Sequence, residues 1–263
     1  MDRAAENNCE PTGGARPSGS ERPGVSLLFA RGARPTEPVL EGLFESLELS
    51  GSAARVSRRA GDGEAWLEVL AGGLAFDLRG IAPGTPAADR HAFHHYGFAD
   101  GLPDEPLEAI ELVPGPHVAA GGGLMPVVQA LAGLAANLAL NLPVAAVAWH
   151  SAEIWLEPRY FSRTVLNWLA GGAFPAPGLV ALVPASDDGI SSKGLAHFTG
   201  QEIQLAAAAG EAEADTMKLA ARAVDHLVRR DKLTRAEEIS GTGVPLLAEP
   251  SQFSNLVWIW RKR

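Results

Sequence analysis

Apolar residues recur along the chain with two periods, one typical of β-strands and one typical of helices. Short apolar or alternating runs predict strands, and apolar positions three or four residues apart predict amphipathic helices. The predicted extended segments are 25–30, 55–58, 66–70, 74–78, 107–113, 144–149, 179–183, 194–205, 244–247 and 256–260. The predicted helices are 36–47, an Ala/Leu-rich run that ends at Leu140, a segment from Glu157 to the glycines at 171–172, and 213–230. This order predicts an α+β fold with a mixed or mainly antiparallel sheet and packed amphipathic helices.

Composition divides the chain into three parts. Residues 1–24 are rich in Gly, Pro, Ser and charge and lack apolar periodicity, so we predict a disordered tail that is neither a signal peptide nor a transit peptide. We predict an N-terminal α+β half over 25–116 and a C-terminal α+β half over 117–263, which leaves open two similar α/β halves. Residues 81–105, rich in Pro, Gly and Ala, predict a long surface loop.

The least charged segment, 117–150, is long enough to suggest a membrane span. Its amides Gln129, Asn137 and Asn141 would need partners in lipid, and Pro143 interrupts the apolar run. We therefore expect no membrane span here, but a buried helix followed by a buried strand.

The charge balance narrows the class of partner. The 263 residues contain 22 Lys and Arg against 31 Asp and Glu, for a net charge of −9, so we expect no nucleic-acid partner. The three basic residues that follow the C-terminal tryptophans, at 261–263, are more simply explained as solubilising. The single cysteine, Cys9, fits a reducing compartment, and we expect a cytoplasmic, soluble protein.

A histidine cluster at residues 91–95 is the first candidate site. His91 and His95 would share one face of a helix at a spacing that binds zinc, and His94 lies between them. The following Glu of the metalloprotease motif is missing, and the surroundings predict a loop. A solvated or structurally hydrogen-bonded histidine loop is the simpler interpretation, so we assign no metal.

Other candidates lie at the ends of predicted elements. His150 and Glu153 follow the strand 144–149, the position of many α/β sites, although His150 and its neighbour Ser151 would point to opposite faces of a strand. Glu202 is either a site carboxylate or an outward side chain on a strand. The glycines at 121–123 precede a helix, but no phosphate-binding motif accompanies them, and we expect no cofactor.

Several short motifs follow one another in the C-terminal two-thirds. In order they are Leu112-Val-Pro-Gly-Pro-His117, Ala146-Val-Ala-Trp149 followed by Glu153 and Pro158-x-x-Phe161, Gly194-Leu-Ala-His-Phe-Thr-Gly-Gln-Glu202, Gly241-Thr-Gly243 and Glu249-Pro-Ser251. This series resembles the bacterial family known as domain of unknown function 4261, over roughly 117–260. Thr199 departs from members with Gly after Phe. The resemblance implies a bacterial α+β domain and no assigned catalytic residues.

Two functions remain open. Polar motifs are sparse while apolar patterning is strong, so the leading hypothesis is a non-catalytic binding or interaction module with a protein partner. The alternative is a hydrolase or metal-assisted enzyme that uses the loop of His91, His94 and His95 with His150 and Glu153. We single out no catalytic residue beyond these candidates and Glu202.

Overall fold

The computed structural model describes residues 23–49, 54–59, 66–87, 92–103, 106–185, 189–230 and 232–262. The strands are β1 (Val25–Ala30), β2 (Ala54–Arg59), β3 (Trp66–Ala71), β4 (Leu74–Arg79), β5 (His94–Tyr96), β6 (Leu107–Pro114), β7 (Val144–Trp149), β8 (Ile154–Leu156), β9 (Ala181–Pro184), β10 (Ile190–Lys193), β11 (Glu202–Leu205), β12 (Glu237–Ile239), β13 (Leu246–Pro250) and β14 (Leu256–Arg261). The helices are α1 (Glu37–Leu49), α2 (Met125–Asn141), α3 (Pro158–Leu169), α4 (Ala176–Leu179), α5 (Ala196–Thr199) and α6 (Glu213–Leu227).

The strands form two mixed sheets that are mostly antiparallel, which confirms the predicted α+β class. The larger sheet has the order β2-β3-β4-β6-β1-β7-β8-β5, and the smaller has the order β12-β13-β14-β11-β10-β9. Among the strands of the described ranges, the parallel pairs are β5 with β8 and β11 with β14. Because β7 pairs with β1, the larger sheet takes strands from both sides of the boundary predicted at residue 116.

One hydrophobic core extends from the inner face of one sheet, through the helices, to the inner face of the other. Helix α2 packs against β1, β6 and β7, α3 packs against α2, and α6 packs against β9, β10 and β11. The Ala/Leu-rich run is thus a core helix followed by a core strand, as predicted. No helix in the described ranges combines the length and apolarity needed to cross a membrane.

Two local predictions are wrong. The segment 194–205 is not extended throughout, because α5 lies between β10 and β11. The loop 81–105 contains β5, whose three residues pair with β8. Both elements are too short for a hydrophobic period to show them, and long-range pairing stabilises β5.

A seam between the two sheets fixes their relative position. The Tyr96 hydroxyl on β5 accepts a hydrogen bond from the Leu182 N–H at 3.0 Å and donates one to the Leu182 carbonyl at 3.2 Å. Gly194 follows β10 with φ of +92°, and a Cβ there would lie 2.7 Å from the Ala152 Cα. One edge of each sheet is therefore held against the other.

Candidate functional site

A cross-strand row on the outer face of the larger sheet, away from α2, collects polar and aromatic side chains from distant parts of the sequence. Strand register places them side by side, since residues in register share a face. From β3 to β5 the row is Trp66, Arg79, Glu111, Ser26, Ala148, Trp155 and His95. The predicted candidate His95 therefore lies at one end of a row whose other polar members the sequence analysis did not select.

His150 joins this row directly after β7. Its Nε2 lies 2.8 Å from the Ser26 Oγ, and its Nδ1 lies 3.9 Å from the Glu111 Oε1. The alternation of β1 explains the position of Ser26, because Val25 and Leu27 face the helices and the serine between them faces outward.

The Ser26 hydroxyl, the His150 imidazole and the Glu111 carboxylate lie in the same spatial order as the catalytic triad of serine hydrolases. An imidazole that accepts the hydroxyl proton makes a serine nucleophilic, and a carboxylate stabilises the imidazolium that forms. The 3.9 Å separation of Glu111 and His150 is longer than a hydrogen bond. The three side chains therefore have the chemical groups of a catalytic triad, but Glu111 and His150 are too far apart for a hydrogen bond.

Burial closes this cluster to a substrate. Ser26 is 1% exposed, and the side chains of His150 and Glu111 are 3% and 13% exposed. Ser26 also lies within a regular strand paired on both sides, where a nucleophile elbow would present it on a sharp turn. A carbonyl carbon cannot approach the Ser26 Oγ in this conformation, so the cluster acts here as a buried polar network.

The described histidines of the predicted loop lie in strand β5, where the rings of His94 and His95 stack with centroids 5.9 Å apart. His95 lies on the outer row, and His94 also contacts Tyr96, with ring centroids 4.7 Å apart. Burial lowers the pKa of His94, and the charge of His95 acts in the same direction. His91 lies outside the described residues, so the His91–His95 metal pair stays a prediction. The described residues include no group of three or more His, Cys, Asp or Glu side chains placed to hold a metal ion.

The Glu153 side chain forms an ion pair with a lysine of the smaller sheet. Glu153 follows the short 3-10 turn at 150–152 with φ of 52°, and its carboxylate binds the Lys193 Nζ at 2.6 Å. Its carbonyl accepts the Phe93 N–H at 2.7 Å. Glu153 thus connects the turn after β7 to β10 and to the loop before β5, while His150 turns towards Ser26.

Glu202 is a structural carboxylate with a complete set of donors. Its Oε2 accepts from the Ser192 Oγ at 2.5 Å and the Leu195 N–H at 3.2 Å, and its Oε1 accepts from the N–H groups of Gly194 and Ala196 at 2.8 and 3.1 Å. These bonds explain the spacing of Gly194 and Glu202, because the turn after β10 wraps around the carboxylate. Glu202 lies in the smaller sheet, and its carboxylate binds Ser192 and the turn at 194–196.

The glycines at 121–123 lie against α5. A Cβ added to Gly123 would overlap the backbone carbonyl oxygen of His197, so the close approach of two backbone segments requires glycine at this position. Burial lowers the pKa of His197, and a hydrogen bond with the Gly122 backbone acts in the opposite direction. This contact links the start of α2 to the smaller sheet.

A second candidate surface lies on the outward side of the β13–β14 hairpin. We call it the hairpin face and define it as Leu247, Glu249, Trp258 and Trp260. Register places Trp258 opposite Glu249 and Trp260 opposite Leu247. The two indole rings stack with centroids 5.7 Å apart and an interplanar angle of 14°. Trp260 is 41% exposed and the nearby Phe253, in the loop between the strands, is 98% exposed.

The two C-terminal basic residues that the structure describes are paired with acids. Arg261 binds Glu211 and the Ala206 carbonyl, and Lys262 binds Glu238. Glu249 is exposed and has no hydrogen-bond or ion-pair partner within the described ranges. The hairpin face is therefore aromatic and slightly acidic, although the sequence there reads as aromatic and basic.

A cavity of about 450 Å³ lies between the end of α2, the start of α3 and the loop after β5. Apolar side chains such as Phe98, Leu142 and Val144 line it, together with Glu157 and Arg159. Both carboxylate oxygens of Glu157 accept backbone N–H groups at the start of α3, from Arg159 and Tyr160. None of the predicted site residues lines this cavity.

The chain matches no family model, no curated protein and no solved structure. The resemblance to domain of unknown function 4261 therefore stays a prediction.

Sequence reasoning missed Ser26 and Glu111. The available signal was the one polar residue, Ser26, in the strand VSLLFA and the two glutamates, Glu108 and Glu111, in the strand LEAIELVP. Nothing in the sequence states that these strands are neighbours in register, so the contact of Ser26 with His150, 124 positions away, emerges only from the sheet topology.

Proposed function

We propose that the protein is a non-catalytic binding module that docks a partner protein on the hairpin face. One observation carries this proposal: Trp260 is 41% exposed and stacks on Trp258. In the described part of the chain α6 packs against the opposite face of this sheet, and the tryptophan side is left without a helix.

Tryptophan suits such a role physically. Its large ring loses much hydrophobic surface to a partner at a small cost in side-chain entropy, which makes it common among residues that dominate binding energy. Stacking on Trp258 restricts the Trp260 ring before any partner arrives, and such preorganisation reduces the entropy lost on binding.

The hairpin is also a firm base for an interface. Its inner side chains, Leu246, Ala248, Val257 and Ile259, are each at most 1% exposed and belong to the central core. Residues on a packed strand hold their geometry better than residues on a loop. The hairpin face therefore combines a fixed backbone with exposed aromatic area.

A displayed random-peptide library tests the proposal. Binders selected on the wild-type chain should lose most of their affinity for a W258S/W260S double variant whose circular dichroism matches the wild type. A W66S variant, changed on the other sheet, is the control and should retain binding. Selected binders that are indifferent to the double change would contradict the proposal.

A second candidate function, hydrolysis by a serine nucleophile, is favoured by the 2.8 Å contact of Ser26 with His150. A fluorophosphonate phosphonylates an activated serine: the P–O bond to Oγ forms as the P–F bond breaks, and the hydroxyl proton passes to the general base. It therefore reports such a nucleophile directly. Because Ser26 is 1% exposed, we expect no labelling of the native protein. Stoichiometric labelling that disappears in S26A and H150N would favour the hydrolase over the binding module.

We also infer a bacterial, cytoplasmic protein that does not bind nucleic acid. The resemblance described above supports the bacterial origin, and the single cysteine supports a reducing compartment. The pairing of Arg261 with Glu211 and of Lys262 with Glu238 supports the exclusion of nucleic acid, because neither cation is left for a phosphate.

A further inference from the structure

The charged side chains in and around the hairpin face differ in whether they have an ion-pair partner. The hairpin face itself contains one charged residue, Glu249, which has no ion-pair partner in the described ranges. Next to the face, Lys262 is neutralised by Glu238, and Lys232 binds the Asn255 Oδ1 in the loop between β13 and β14. The face is therefore acidic at Glu249, within a protein whose net charge is −9.

The aromatic pair adds a second attraction for positive charge. Trp260 is 41% exposed, so part of its ring is accessible to a ligand beside the stacked Trp258. A cation over an indole face is attracted by the ring quadrupole, and tryptophan is the strongest of the aromatic residues in this respect. A carboxylate beside such a ring reinforces the same preference.

The distances suit a long basic side chain. Glu249 is directly opposite Trp258 and diagonal to Trp260 on the same face. Diagonal neighbours on antiparallel strands lie about 7–8 Å apart, which an arginine side chain spans. An arginine could therefore stack on Trp260 and place its guanidinium near Glu249, while apolar neighbours contact Leu247 and Phe253.

We propose that the hairpin face recognises a basic segment of a partner protein, in which an arginine or lysine flanked by apolar residues packs on Trp260 beside Glu249. This inference rests on the proposed function and names the chemistry of its partner. Charge complementarity selects this occupant: an acidic surface within an acidic molecule repels a second copy of this chain.

Fluorescence anisotropy with three synthetic peptides tests the inference. The probes are a fluorescein-labelled peptide of alternating Arg and Leu, the same peptide with citrulline in place of Arg, and the same peptide with Glu. We expect citrulline, which keeps the shape of arginine but not its charge, to weaken binding about tenfold. The Glu peptide should not bind.

Matched variants separate the site from general attraction to an acidic protein. W260L keeps the net charge and should weaken binding of the Arg peptide about tenfold. E249Q should weaken it about threefold and reduce the salt dependence. E45Q removes an exposed acid from α1 and should leave binding unchanged.

The outcomes distinguish this inference from the proposed function. Equal binding of the Arg and citrulline peptides, or equal effects of E249Q and E45Q, would overturn the basic-partner inference. If library binders of other chemistry still depended on Trp258 and Trp260, the docking surface itself would stand. Loss of that dependence would remove both.

Discussion

Glu202 shows how a single residue organises the turn after β10. Its carboxylate accepts four hydrogen bonds, one from Ser192 and three from the backbone of residues 194–196. Bonds from N–H groups to a charged acceptor are stronger than neutral ones. The carboxylate therefore holds β10, α5 and β11 together and is fully used by the fold.

We predict that E202Q lowers the free energy of unfolding by about 2–3 kcal/mol, because an amide nitrogen would replace an acceptor that faces donors. Urea denaturation followed by circular dichroism measures this change. E249Q, which alters an exposed carboxylate on the same sheet, should stay within about 0.5 kcal/mol of wild type. Equal effects of the two changes would show that the turn does not depend on Glu202.

Gly194 gives a second prediction at this scale. G194A should destabilise the protein more than G101A, since both glycines have positive φ, +92° and +88°, but only Gly194 has a neighbour within 4 Å of the added Cβ. We expect about 1 kcal/mol for backbone strain in G101A and about 3 kcal/mol or more in G194A. Thermal denaturation compares them. A similar melting temperature for the two variants would argue against close packing on Ala152.

Short elements at the sheet edges connect the two sheets of this fold. β5 has three residues, yet it closes one edge of the larger sheet and carries Tyr96 to the smaller one. The Tyr96 hydroxyl occupies both the N–H and the carbonyl of Leu182 on the edge strand β9. An edge strand otherwise presents such backbone groups for pairing with another chain. Tyr96 therefore connects the two sheets and also blocks such pairing at Leu182.

Y96F should lower the free energy of unfolding by about 1–3 kcal/mol, because the backbone groups of Leu182 lose their partner. Hydrogen exchange of the Leu182 amide should become faster in the native state. The chain has one other tyrosine, Tyr160, whose hydroxyl has no hydrogen-bond partner in the described ranges, so Y160F is the matched control. Slow exchange in Y96F would mean that other contacts hold the seam.

At the scale of the whole molecule, the two sheets share one core, and the outer face of each sheet carries one of the two candidate sites. The outer face of the larger sheet holds the buried Ser26–His150 cluster, and the outer face of the smaller sheet presents Trp258 and Trp260. Access therefore separates the two candidates, since the first is closed to solvent and the second is open.

The stability of the whole protein should depend on pH through His197 and His94. Burial lowers the pKa of both imidazoles, so below the unfolded value of about 6.5 the unfolded chain binds protons that the folded protein does not. The free energy of unfolding should therefore fall as the pH decreases, at most by about 1.4 kcal/mol per pH unit for each proton.

Urea denaturation at about pH 7 and pH 5.5 measures this dependence, because the two values lie on either side of the ordinary histidine pKa. H197Q should reduce the difference in unfolding free energy between the two pH values, because it removes one of the two partly buried imidazoles whose pKa is lowered in the folded protein. H117Q, at an exposed position, is the control. An unchanged difference in H197Q would show that this contact does not link protonation to folding.

Hydrophobic period by itself determined the long elements and the fold class. Helix α6 is predicted from the helical spacing of its apolar residues, which form its buried side. The strand at Val25 and helix α2 are predicted from continuous apolar runs, and most residues of both are buried. The alternation of Trp258 and Trp260 with Val257 and Ile259 likewise places the two tryptophans on one face. These properties are local, so the sequence alone contains them.

Tertiary structure decided everything that depends on register between distant strands. Three features arise only when the chain folds. They are the contact of Ser26 with His150, the pairing of Arg261 with Glu211 and the enclosure of Glu202 by the turn at 194–196. The sequence presented His150 and Glu202 as candidate catalytic groups. Their partners and their burial, which follow from the packing of whole sheets, determine what each can do.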